Sequence, residues 1–367
     1  MNAAILVRKI TELKSAVIEA LDFLNYDFSG KKVWVKPNLL APHPPGAGVT
    51  TSPELIYEIV SELQRRNVKK IWVGDNPAGA HRRRLEEYLR PTGVVEASLG
   101  NFTNVSINPV WLTINSRFTS EVPVSNIIYE ADIILNLPVF KTHALTILTG
   151  AVKNLFGIIP GGHKAFLHTL AADADQFAEL LVDIYQAVPV KIMNIMDGIR
   201  VMDGVNGPSG GRVREMNYLL TGENAVALDA VMALLAGTFP EKIPTVRIAS
   251  QRNLGPANPA EIKITGDFAP IPDFRLPNAS FAALITKLSR PVYRHLIPRV
   301  PVLNSNRCIR CGECAANCPV LAIKMDPYPE IERRKCIRCF CCAEICPTRA
   351  MTVAGHLKSF WLRTIQR

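Results

Sequence analysis

The chain reads as an α/β protein, a mostly parallel sheet flanked by helices, followed by a small C-terminal α+β domain of the two-[4Fe-4S] ferredoxin-like kind. Three observations carry this reading. Apolar, β-branched runs alternate with helical periods over the first 275 residues, the pattern of a sheet covered on both faces. Lys, His, Asn and Asp recur just after those runs. Eight of the nine cysteines fall into two copies of one pattern near the C-terminus. With 367 residues, 48% of them apolar and 20% charged, the chain has the length for about two domains and can bury a large core.

Val33-Trp34-Val35 is the first clear strand, entering Lys36-Pro37-Asn38. Thr51-Ser52-Pro53-Glu54 opens a helix running to about Arg66, with Pro at an early helical position and Glu54 placed to close a capping box. Lys70–Val73 is the next strand, ending in Gly74-Asp75-Asn76-Pro77, and a helix follows near 81–90. Ala131–Leu137 is a buried strand running into Lys141-Thr142-His143. Helices near 145–156 and 173–187 precede the strand Val190–Met196 and Asp197-Gly198. Tyr218–Thr221 leads into a helix near 223–236, and Glu261–Thr265 is the last strand.

The polar residues sort onto one edge of this framework. Lys36 and Asn38, Asp75 and Asn76, Lys141 and His143, and Asp197 each follow a strand, where open α/β sheets place their ligand crevice. Loops are polar everywhere, so one such residue says little; a set in which Lys and His recur points to an anion. Residues 141–168 are the densest stretch, with Lys141, His143, Lys153, Asn154, Gly157-Ile-Ile-Pro-Gly-Gly-His163-Lys164 and His168. Lys36, Asn38, Lys141, Lys153, Asn154 and Lys164 are therefore the candidate anion-binding groups. His143 or His163 is the candidate proton carrier, and Asp197 would orient one of these groups. Lys36, Lys141 and His143 should converge within about 10 Å, the span of a small ligand in a pocket. The glycine loop ending in His163 should cover them and could wrap an anion with its backbone amides. The competing reading pairs each lysine with a nearby acid.

Several chemistries are unsupported. The glycine loop is no P-loop, because His163 and Ala165 stand where Lys and a hydroxyl residue belong and a helix precedes it. No dinucleotide fingerprint follows a strand. A mononuclear metal on His143, His163 and His168 matches no standard spacing. The Gly-rich stretch from Asp197 to Arg212 reads as a functional lid or mobile insertion, with a plain Asp-Gly turn as its bland alternative.

The cysteines are more specific. Cys308-x2-Cys311-x2-Cys314-x3-Cys318-Pro319 and Cys336-x2-Cys339-x2-Cys342-x3-Cys346-Pro347 match the bacterial ferredoxin run. Three thiolates of each run hold one cube and the fourth crosses to the other. Two [4Fe-4S] clusters are expected, one on Cys308, Cys311, Cys314 and Cys346, the other on Cys336, Cys339, Cys342 and Cys318. Structural zinc uses paired Cys-x2-Cys instead. Cys341 would spoil both spacings and reads as a packing thiol.

No apolar stretch at the N-terminus suits a signal peptide, so the expectation is a reducing, cytoplasmic compartment. No apolar run reaches the roughly 18 residues needed to span a bilayer. The formal charge of +10 falls to about +6 once two oxidised clusters and their thiolates are counted, which favours anionic partners. No helix-turn-helix, aromatic RNA-binding motif or dense basic run argues for nucleic acid. The domain scheme is 1–275 for the α/β domain, 276–303 for a basic amphipathic linker, 304–355 for the cysteine domain and 356–367 for a basic amphipathic tail. Phe281, Leu284, Ile285 and Leu288 stand at helical spacing in the linker. Linker and tail could rest on an anionic membrane surface, but packing on the protein's own body or on a twin subunit is the preferred reading.

Val35-Lys36-Pro37-Asn38-Leu39, Leu137-Pro138-x2-Lys141-Thr142-His143, Gly150-x2-Lys153-Asn154-x2-Gly157, Met196-Asp197-Gly198 and Ala227-Leu228-Asp229-Ala230 together resemble the domain-of-unknown-function family 362. Its members often carry a C-terminal pair of [4Fe-4S] motifs. The resemblance covers roughly residues 30–250 and the cysteine region. It implies an α/β domain tied to low-potential iron–sulfur chemistry in anaerobic or facultative prokaryotes, and it implies no particular reaction. A remoter likeness to nickel-pincer lactate racemases bears on fold alone. Two functions remain. One is an oxidoreductase in which the clusters relay electrons to or from a small anionic substrate; the other is a non-enzymatic electron carrier or cofactor-maturation protein that docks a redox partner.

Overall fold

The structure, a computed structural model, describes residues 3–77, 84–171, 173–205, 207–277 and 299–355. Its strands are β1 Ala3–Lys9, β2 Lys32–Pro37, β3 Lys70–Val73, β4 Val110–Thr113, β5 Glu121–Val124, β6 Ile133–Leu137, β7 Val139–His143, β8 Ile147–Thr149, β9 Lys191–Asp203, β10 Arg212–Gly222, β11 Ile262–Gly266, β12 Arg299–Leu303, β13 Ile323–Asp326, β14 Tyr328–Ile331 and β15 Met351–Gly355.

Nine strands form one sheet in the order β11-β1-β10-β9-β6-β2-β3, with β7 beside β9 and β8 beside β7. β9, β6, β2 and β3 are mutually parallel, whereas β10 runs antiparallel to both β1 and β9. The all-apolar strands are explained by two covered faces. Val33 and Val35 of β2 pack with the helices Leu13–Phe23 and Pro53–Arg65, while Trp34 between them packs on the opposite side with Phe177 and Leu181 of the helix Ala174–Ala187. Successive side chains leave a strand on opposite faces, and each such burial stabilises by about 1.5–3 kcal/mol. Helix Ala225–Leu235 is apolar apart from Asp229 and lies in a third cluster with β1, β10 and the helix Pro244–Gln251.

The chain leaves β2 for β3 on one side and β6 on the other, so the strand order reverses between β2 and β6. Their carboxyl ends, Lys36–Pro37 against Asn136–Leu137, open the crevice that such a reversal creates.

Three local expectations change. The stretch near 145–156 is not a helix: Val139–His143 and Ile147–Thr149 pair as strands, leaving a short helix at Ala151–Asn154. Lys141 and His143 thus lie within a strand, because pairing to β9 outweighs local propensity. The Gly-rich stretch is not a long loop either. β9 continues through Asp197-Gly198 to Asp203, β10 starts at Arg212, and Arg212 closes the ladder on Asp203 at 2.6 Å. Glu54 makes no capping box; it pairs with Arg200 at 2.7 Å, while Asp197 accepts the Ser52 amide at 2.6 Å. The helix expected near 81–90 is described as Leu85–Leu89. β1, the helix after it and the hairpin β4–β5 are elements to which the sequence reading assigns nothing.

The cysteine domain has two hairpin-like sheets, β12–β15 and β13–β14, and its own core of Cys314, Ile323, Cys342, Cys346, Ala350 and Met351. The linker helix and the tail lie outside the described residues. Among those described, no helix is long and apolar enough to cross a membrane.

Candidate functional site

The two cysteine runs fold alike. Arg310 and Arg338, Gly312 and Phe340, and Leu321 and Arg349 occupy equivalent positions in the two copies, and all six have left-handed backbone. The repeated twist turns each run around a cavity. One cavity is bordered by Cys308, Cys311, Cys314 and Cys346; the other by Cys336, Cys339, Cys342 and Cys318. These are the crossed sets that the spacing predicts. Cys318 accepts the Ala322 amide at 3.2 Å and Cys346 the Ala350 amide at 3.2 Å, the contacts that stabilise thiolates around an iron–sulfur core. Among the described residues no three His, Cys, Asp or Glu side chains are grouped to hold one metal ion. Four thiolates spread around a cavity suit a cube with four separate irons better than a single tetrahedral zinc.

The copies differ where the second meets the α/β domain: Phe340, Cys341 and Glu344 replace Gly312, Glu313 and Ala316. The turn Gly207–Gly210 between β9 and β10 packs on Phe340, Ala343 and Glu344, and Ser209 Oγ donates to the Ala343 carbonyl at 3.1 Å. Gly207 lies so close to β7 that a Cβ there would meet the Thr142 carbonyl. The stretch expected to be a lid is therefore the seat of the cysteine domain.

Between the domains lies a chamber of about 100 Å³. Asn38, Asp75, Lys153, Asn154, Lys164 and His168 line it from the α/β side, and Asn317, Cys341 and Glu344 from the cysteine domain. Four of the six expected anion-binding groups thus reach it. Lys36 and Lys141 do not, because each is spent behind the wall. Lys36 is fully buried and pairs with Asp75 at 2.9 Å, against Gly157, where a Cβ would collide with that carboxylate. For Lys36 the ion-pair reading holds. Lys141 donates to Asn38 Oδ1 at 2.6 Å and to the Val49 carbonyl. From Asn38 a buried amide chain continues through Asn154 (2.7 Å), Asn136 (2.7 Å) and Asn194 (2.9 Å), tying the crevice to the middle of the sheet. Such a chain satisfies each amide and orders the crevice.

The histidines separate. His143 Nδ1 accepts the amides of Leu145 and Thr146, which leaves the proton on Nε2, 3.0 Å from Glu344 Oε1. Burial and then the Lys153 charge hold His143 at a pKa of about 4. Burial works against the Glu344 carboxylate, but His143 and Lys153 outweigh it and hold its pKa at about 2. At neutral pH the contact is a neutral imidazole N–H facing a carboxylate. His168 stacks on Phe177 at 4.2 Å, and His163 lies off the chamber beside Trp111 and Phe166. The glycine loop becomes the start of the helix Gly161–Leu170, with Gly157 against the Lys36–Asp75 pair and both Gly157 and Gly161 at the chamber wall. Asp197 serves backbone amides, those of Ser52 and Ile199, rather than a lysine or histidine.

Lysines supply the positive charge of the chamber, and burial works against it. Burial pushes Lys164 down to about 8 and Lys141 down to about 7, the latter helped by Lys153. Lys153 stands half-buried at the wall and is also lowered by burial, against which the Glu344 carboxylate works. Cys341 lines both the chamber and the second cysteine cavity. Cys341 and Glu344 escape a sequence reading of the crevice because nothing local says that the helix Cys341–Glu344 will face β7; the one signal is that the second cysteine copy departs from the first there. A larger groove, about 790 Å³, lies at the opposite sheet edge near Lys191, which Glu223 neutralises at 3.1 Å. It brings together no comparable chemistry.

Comparison with known proteins bears on both halves. The family profile described as "Domain of unknown function (DUF362)" matches residues 33–234, and that of a "4Fe-4S dicluster domain" matches residues 300–347. A thylakoid-associated protein of Synechocystis sp. is 34% identical over 245 residues, 66% of this chain and 73% of its own length. A crystal structure of a Thermotoga maritima protein aligns at a TM-score of 0.39 and 15% identity, over 65% of this chain and 58% of that one.

Proposed function

The chain belongs to the DUF362 family and carries a 4Fe-4S dicluster domain, and from that premise we propose that it is an iron–sulfur oxidoreductase acting on a small anion in the interdomain chamber. Cys308, Cys311, Cys314 and Cys346 would hold one [4Fe-4S] cluster, and Cys336, Cys339, Cys342 and Cys318 the other. When bound, these groups supply one-electron transfer at low potential. The observation that carries the proposal is the shared wall: Cys341 borders both the second cysteine cavity and the chamber, so reductant and substrate would be neighbours.

The chain's own residues supply the rest. Lys153 and Lys164 offer positive charge, Asn38 and Asn154 offer amides, and Asn317, Cys341 and Glu344 of the cysteine domain form the facing wall. At about 100 Å³ the chamber suits a compact anion, well below the roughly 300 Å³ at which drug-sized pockets begin. A cytoplasmic, reducing setting keeps the thiolates available; the relative's thylakoid association supports a peripheral membrane seat as the alternative.

One observation favours the carrier reading: the Glu344 carboxylate already stands beside His143 and Lys153, where an anion would go. Anaerobic spectroscopy separates the two. The reduced protein is mixed with fractions of small molecules from an anaerobic extract. Reoxidation by one fraction, abolished in Lys153→Met with the clusters intact, supports the oxidoreductase. Clusters that respond only to protein partners support the carrier.

A further inference from the structure

We propose that the outer face of the first cysteine cavity is the docking port for an acidic electron-carrier protein. The proposal rests on the iron–sulfur reading above and adds where electrons enter. The two cavities differ in what lies beside them and in their cysteines. The second is backed by the α/β domain through Cys341, whereas the first carries Cys311, the exposed cysteine. Around Cys311 the surface is apolar: Ile309, 63% exposed, and Met325, 37% exposed, border the same cavity. The Arg310 guanidinium lies 5.7 Å from the ring of Tyr328, itself exposed one hairpin turn from Met325.

An exposed Ile, Met and Tyr with an arginine over the ring is the composition of an interface centre, where aromatic residues, Met and Arg are enriched. The charge on the rim chooses the partner. Arg307 and Arg310 are exposed and make no ion pair among the described residues. Lys324 is also exposed, though it stands opposite Glu330 in the hairpin, and Asp326 on that hairpin and Glu313 at the cavity wall are the nearby acids. The uncompensated arginines favour a partner whose docking face is acidic. One electron leaves the carrier's reduced iron–sulfur or flavin group and arrives at the cluster on Cys308, Cys311, Cys314 and Cys346; no bond or proton moves.

The test uses the full chain with both clusters loaded, and two reduced probes, an acidic two-cluster ferredoxin and a flavodoxin. Binding and the second-order reduction rate are followed as salt rises. The expected result is binding of at least one probe, with a rate that falls about tenfold between low and moderate ionic strength, the mark of steering between opposite charges. Arg307→Glu/Arg310→Glu should lower it about tenfold more. Reduction by dithionite and the iron content should not change, nor should Lys263→Glu, on the far edge strand, alter the rate. Failure of both probes to bind, a salt-independent rate, or an equal loss in Lys263→Glu would overturn the port. The salt profile of the unaltered protein tests the idea even if the double variant misfolds. Loss of iron or of dithionite reduction in the unaltered protein would instead count against the iron–sulfur reading itself.

Discussion

At the scale of single residues, the useful question is which polar groups are committed and which are spare. Asp229 is committed: its carboxylate accepts the amides of Ala151 at 2.5 Å and Val152 at 3.1 Å, fixing the turn that presents Lys153 and Asn154. Burial raises its pKa to about 7 although the two amides pull it down. Folding therefore favours the protonated form. Its contribution is full below about pH 4 and is lost as pH rises through about 7, at no more than roughly 1.4 kcal/mol per pH unit. Asp229→Asn cannot titrate, so its stability deficit should shrink between about pH 5 and pH 8 in thermal melts; a deficit constant over that window would contradict the assignment. The cysteines make a sharper case. The loaded protein should hold about eight iron and eight sulfide per chain, as two cubes require. Cys318→Ser should damage the cluster of the second run and spare that of the first, and damage confined to the first run in resonance spectra would refute the crossed ligation.

At the scale of elements, two close approaches decide the geometry. The turn after β9 lies on Thr142 of β7 at Gly207 and carries Ser209 to the cysteine domain. Gly207→Val should lift that turn and loosen the domain without removing iron. The expected signs are a larger radius of gyration in solution scattering and faster proteolysis between residues 277 and 299; unchanged scattering would show that the turn is not the seat. Gly157 plays the matching part under the Lys36–Asp75 pair. A methyl group there must part a fully buried ion pair, so Gly157→Ala should cost about 3–5 kcal/mol in urea unfolding, the range for breaking such pairs. A cost under about 1 kcal/mol would mean that the pair shifts as a unit.

At the scale of the molecule, the α/β and cysteine domains have separate cores, and the second is small. A small core of this kind needs metal to hold it. Stripping the iron should erase hydrogen-exchange protection across 299–355 while the nine-stranded sheet keeps its own. Loss of protection in both would show that the clusters support the whole fold. A fragment ending near residue 277 should likewise stay folded and colourless, judged by circular dichroism.

What the sequence by itself determined follows from local chemistry. The cysteine spacing specifies which thiolates can surround a cube, because ligand geometry is a property of a few consecutive residues. The apolar runs of β2 and β6 announce strands buried on both faces, since only two covered faces call for every residue to be apolar. Asn38 was legible as a crevice group because strand ends in such sheets converge, and Lys153, Asn154 and Lys164 because residues 141–168 are the densest polar stretch. Tertiary structure alone decided the rest. Lys36 and Lys141 carry the same signal as Lys153, yet Asp75 and Asn38 absorb them, and no local pattern reveals a partner dozens of residues away. The strands at 139–149 were hidden because pairing to β9, not propensity, makes them. The chamber exists only where Cys341 and Glu344 meet His168 and His143. That contact belongs to the docking of two domains, and a linear pattern of residues encodes the faces of each domain but not their union.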